Sequence, residues 1–110
     1  MRNDKTYLAH IREAIESIEG YLENVSYDGF KSNKMMIDAV VRELEIIGKA
    51  SNNLSHKFRE EHYGILWRQL KDMRNFLIHK YFGVNIKVVW DTCKNDLPKL
   101  KSFVDRVIDE

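Results

Sequence analysis

"DKTYLAHIREAIESIEGYLEN", residues 4–24, sets Leu8, Ile11, Ile15, Ile18 and Leu22 at steps of three and four, with Tyr7 beside the first. That spacing is the apolar stripe of an amphipathic helix. Asn3 or Asp4 is positioned to cap its start, and Gly20 weakens it slightly. The pattern repeats further along the chain. Met36, Ile37, Val40, Val41, Leu44 and Ile47, with Leu54 beyond, predict a second helix capped by Ser32 or Asn33. Gly48 sits in it as a packing glycine that lets a neighbouring helix approach. Leu66, Leu70, Met73 and Leu77, with Trp67 beside them, predict a third helix over 65–78.

A last helix starts at Asn85. Its first apolar patch is Val88, Val89, Trp90 and Cys93, and its second is Leu97, Leu100, Phe103, Val104, Val107 and Ile108. Pro98 falls between the patches and removes a backbone donor, which predicts a kink there. The stretch "NVSYDGFKSN" (24–33) reads as a connection whose Tyr27 and Phe30 tuck against the core. The stretch "SNNLSHKFREEHYG" (51–64) reads as a loop with one short helical turn. Five glycines and one proline in 110 residues leave few breaks, so long helices are favoured over many short strands. The expected fold is all-α: an antiparallel bundle of four to five helices with a kinked last helix, in one domain over residues 1–110.

Composition narrows the function. With 44% hydrophobic and 32% charged residues, the chain is globular rather than disordered. One cysteine, Cys93, excludes an internal disulfide framework and leaves no cysteine-based zinc set; it is expected to be a buried, inert thiol. The polar start has no apolar core of signal-peptide length, and no apolar run approaches the roughly 20 residues that span a bilayer. No membrane association is expected, and the cytoplasm is the expected compartment. Basic residues outnumber acidic ones eleven to six between Lys31 and Lys87, a net +5, against −3 over 1–30 and −1 over 88–110. A basic middle could attract a polyanion, although a solvated helical face looks the same.

Most chemistry-bearing residues have structural explanations. No phosphate-cradling glycine loop is present, and no serine has a nucleophile-elbow context. His10, His56, His62 and His79 form no zinc-ligand register, and His56 and His62 are expected to be exposed. No metal or cofactor is expected. Met35 and Met36 read as core filler, and Trp67 and Trp90 as core anchors.

The exception is "RNFLIHKY", residues 74–81. Arg74 and His79 are five positions apart, about 140° around an ideal helix, so they do not share a face. A site using both needs a helix end, where ideal geometry lapses, or a two-fold dimer that brings different faces together. The same residues also fit a histidine on a helix dipole and an arginine in a surface ion pair.

Arg74, His79 and Tyr81 match Arg-x-x-x-x-His-x-Tyr, with polar Asn75 after the arginine. Around them stand "AVVRELEIIGKA", Trp67, "YFGVNIKVVW" and "DLPKL". In that ordered set, covering nearly all of the chain, the sequence resembles the HEPN superfamily, specifically its HepT-like branch. It departs from the branch at Gly48-Lys49-Ala50, where Gly-Glu-Ala is frequent; Lys49 can add positive charge for RNA.

The resemblance implies a HEPN-like bundle that forms a homodimer with both motifs lining a shared cleft. It implies a metal-independent endoribonuclease acting as the toxin of a type II toxin–antitoxin pair. Its partner would be an antitoxin of the nucleotidyltransferase fold, able to adenylylate Tyr81. Arg74, His79 and Asn75 would be the catalytic residues, and Lys80 and Lys49 would hold RNA. The competing expectation is a non-catalytic helical module that binds a nucleotide or the nucleotidyltransferase.

Overall fold

The computed structural model describes residues 2–62 and 85–108, and Arg2 by its backbone alone. Over that range the chain is helical, with no strand among the described residues. The helices are α1 (Arg2–Leu22), α2 (Tyr27–Lys31), α3 (Lys34–Asn52), α4 (His56–Glu61), α5 (Ile86–Asp91) and α6 (Leu97–Ile108), numbered over the described residues. The third predicted helix, 65–78, lies outside them.

The stripe that opens the sequence forms the centre of the core. Leu8, Ile11, Ile15, Ile18 and Leu22 are all buried, facing Val40, Val41, Leu44 and Ile47 of α3 and Leu100, Phe103 and Val104 of α6. Burying such side chains is worth about 1.5–3 kcal/mol each relative to leaving them in water. Helix α1 is thus the element on which α3 and α6 pack, as expected of an all-α bundle.

Local chemistry starts the helices. The Asn33 side chain accepts from the Met36 N–H at 3.0 Å, and Asn85 accepts from Val88 at 3.2 Å, so both asparagines cap as expected. Ser26 and Ser55 do the same for Gly29 and Phe58. The Ser26 cap makes a helix of what reads as a connection: α2 forms inside 24–33, after Asn24 turns the chain at a left-handed φ of 60°. Asparagine tolerates that conformation better than most residues. Phe30 on α2 is fully buried with its ring 5.3 Å from that of Trp90, and the half-buried Tyr27 meets the same indole at 5.7 Å.

The expected kink is present, and its form is specific. A π-helical turn, Thr92–Asp96, joins α5 to α6. The Leu97 N–H reaches back five residues to the Thr92 carbonyl, and Pro98 follows with no N–H to offer. The wider turn takes up the break that the proline imposes.

Four expectations are corrected. Helix α1 begins at Arg2, so Asp4 is not its cap; the carboxylate is buried and accepts from the Ser55 N–H at 2.8 Å and the Ser55 hydroxyl at 2.7 Å. Met35 is 82% exposed, because neighbouring helix positions point about 100° apart and Met36 takes the side that packs against the core. Val88 is also exposed, since in a helix it cannot share a face with Val89. His62 is half-buried rather than exposed, whereas His56 is exposed and pairs with Glu60.

Candidate functional site

Arg74, Asn75, His79, Lys80 and Tyr81, with Trp67, lie outside the described residues. The structure describes the frame on either side of them. On the N-terminal side, α4 ends at Glu61, with His62 as its C-cap. The His62 Nδ1 lies 3.0 Å from the Phe58 carbonyl, and its ring stacks on Phe58 at 4.3 Å and meets the edge of Phe103 at 5.4 Å. The start of α4 is held to α1 by the Asp4–Ser55 bonds. On the C-terminal side the chain re-enters at the Asn85 cap, and α5 is anchored through Trp90 on Phe30. Both anchor points therefore rest on the same core, one through Phe103 and the other through Phe30.

Lys49 is exposed on α3. It borders a concavity of about 330 Å³ between α1 and α3, lined by Tyr7, His10, Ile46, Lys49, Ala50 and Asn53. Ile46 and Ala50 supply an apolar floor. Tyr7 and His10 meet edge to face with ring centroids 6.1 Å apart. Tyr7, His10 and Asn53 were not singled out from the sequence. Their signal is faint, because Tyr7 reads as part of the apolar stripe and Asn53 as a turn residue.

A second concavity, about 280 Å³, has Cys93 and Leu97 in its wall, near the π-helical turn. Burial pushes the Cys93 thiol up to about 12, against a smaller opposing effect of Lys94. A thiol so protonated is a poor nucleophile and metal ligand. Beside it, the Lys101–Glu19 hydrogen bond of 2.9 Å joins α6 to α1 and holds the lysine above its ordinary range.

The described helices define an all-α bundle whose last helix is joined from bent pieces. The model of the ribonuclease HepT-like family matches residues 11–107, and the chain belongs to that family. It is 43% identical over 106 residues, 96% of either chain, to a Thermococcus cleftensis protein named "Probable ribonuclease HepT". It is 45% identical over 111 residues to a Methanocaldococcus jannaschii protein named "Gamma-glutamylcyclotransferase and putative RNase MJ0434". The chain spans half the length of that second relative. No solved structure matches it. The family is described as ribonuclease HepT-like. No helix among the described residues is long and apolar enough to cross a membrane.

Proposed function

We propose that this chain is a metal-independent endoribonuclease, the toxin of a type II toxin–antitoxin pair, working as a homodimer of single-domain copies. The observation that carries the proposal is the intact Arg74-x-x-x-x-His79-x-Tyr81 motif in a chain matched to the HepT-like family over residues 11–107. The relative named a ribonuclease, similar over almost its whole length, supports the same activity.

The residue types suit the reaction. The 2′-hydroxyl oxygen bonds to the adjacent phosphorus as one His79 takes its proton. The P–O5′ bond breaks, and the second His79 of the dimer gives a proton to the leaving oxygen. The products are a 2′,3′-cyclic phosphate and a 5′-hydroxyl. Imidazole exchanges protons near neutral pH, and such acid–base help is worth about 10²–10⁴-fold. Arg74 stays charged and grips non-bridging oxygens more tightly as charge builds on them. Asn75 orients His79 or a phosphate by hydrogen bonding, and Lys80 and Lys49 attract the RNA backbone.

Control falls to Tyr81. A nucleotidyltransferase-fold antitoxin joins its phenol oxygen to the α-phosphate of a nucleoside triphosphate, releasing pyrophosphate. The added phosphodiester brings negative charge beside Arg74 and competes with RNA.

The test is cleavage of RNA by the unmodified protein in chelator, beside Arg74→Ala and His79→Ala. Cyclic phosphate ends, lost in both variants, are expected. No cleavage by the parent protein, with Tyr81 shown unmodified by mass spectrometry, would move the assignment to a non-catalytic partner- or nucleotide-binding module.

A further inference from the structure

We infer that the concavity between α1 and α3 is a single-stranded RNA subsite, in which one nucleobase stacks on Tyr7 beside His10, Asn53 hydrogen-bonds its edge and Lys49 holds the neighbouring phosphate. The inference rests on the ribonuclease reading and extends it to residues that the motif does not include.

Four observations support it. The space, about 330 Å³, is at the small end of the roughly 300–1,000 Å³ range of ligand clefts, enough for one nucleotide. Its chemistry is mixed in the way a nucleotide requires: an apolar floor from Ile46 and Ala50, two aromatic rings, an amide and an ammonium. Single-stranded RNA is commonly held by bases stacked on aromatic side chains beside cations that follow the backbone. The Tyr7–His10 contact is edge to face, with the ring planes 81° apart, so the pair does not use up both ring faces as a parallel stack would.

The fourth observation is electrostatic. Glu45 stands one turn before Lys49, at the spacing that often gives an ion pair, yet among the described residues no ion pair forms there. Arg42, two turns before Lys49 on the same helix, is likewise exposed and outside every ion pair found among the described residues. Lys49 therefore brings an exposed positive charge to the rim of the concavity, with the exposed Arg42 two turns earlier on the same helix.

The test uses the full chain and a fluorescein-labelled 12-mer of 2′-O-methyl RNA. This probe has no free 2′-hydroxyl and cannot be cut by the proposed reaction, so binding is read apart from cleavage. Tyr7→Leu keeps an apolar side chain against the core but removes the stacking face. Lys49→Ala and His10→Ala change exposed positions. Tyr7→Leu is expected to weaken binding roughly tenfold, the effect of losing one stacked base. Lys49→Ala should lower the slope of log affinity against log salt by about 0.7, as expected for one lost single-strand phosphate contact.

Affinity and salt slope unchanged in all three variants would overturn the inference while leaving the ribonuclease reading intact. So would weakened binding accompanied by a changed sedimentation coefficient, which would make this face a contact between copies. Failure of the parent protein to cut unmodified RNA would instead strike the ribonuclease reading, whatever the probe shows.

Discussion

Replacing Asp4 with alanine should destabilise the bundle by about 2–3 kcal/mol, although Asp4 sits in the first turn of the chain's first helix. Asp4 is only 4% exposed, and its carboxylate accepts both the Ser55 N–H and the Ser55 hydroxyl, at 2.8 and 2.7 Å. Hydrogen bonds to charged groups are worth about 1.5–3 kcal/mol each, and two are lost. The loss is offset because the variant no longer buries a charge, and because Ser55 is half-buried and can recruit water. Ser55 also accepts from the Phe58 N–H at 3.0 Å, so Asp4 holds the hydroxyl that caps α4. Urea denaturation followed by circular dichroism measures the change, and a fall in melting temperature on the order of 10 °C should accompany it. Ser55→Ala should cost a similar amount. The double variant should cost less than the sum by at least about 1 kcal/mol, because the two residues act as one unit. An unchanged urea midpoint in Asp4→Ala, or strict additivity in the double variant, would refute the reasoning.

Two further outcomes follow from burial. Phe30→Ala should cost about 3–5 kcal/mol, read from the same denaturation curves, since the ring is fully buried under Trp90 and its removal leaves a cavity. Cys93 should resist a thiol reagent at pH 8 in the folded protein and react at least about tenfold faster in urea, because burial covers the thiol and lifts its pKa from 9.0 to about 12. Below pH 9 both states keep the proton. Between pH 9 and 12 the unfolded chain ionises first, so stability should fall as pH rises through that window, a trend that Cys93→Ala should reduce.

Much of this molecule is legible in local sequence. The stripe Leu8, Ile11, Ile15, Ile18, Leu22 is sufficient to find α1 and its buried face, because a helix repeats on a period that the sequence carries directly. Asn33 and Asn85 announce helix starts because a cap acts on a donor three residues away. Pro98 announces a break because the missing N–H belongs to that residue alone. Lys49 is legible as an exposed cation, and the motif residues from Arg74 to Tyr81 are legible as an ordered pattern of chemical types.

The tertiary structure decided what depends on partners distant in the chain. Asp4 looks like a cap for its own helix, yet its partner is Ser55, 51 residues away. His62 looks like a loop residue until Phe103 packs against it from the last helix. Tyr7 and His10 become neighbours of Lys49 and Asn53 only when α1 is laid along α3. Periodicity fixes which face of a helix turns inward, but the residues that meet across two helices are selected by how their side chains interlock, and no single helix contains that information.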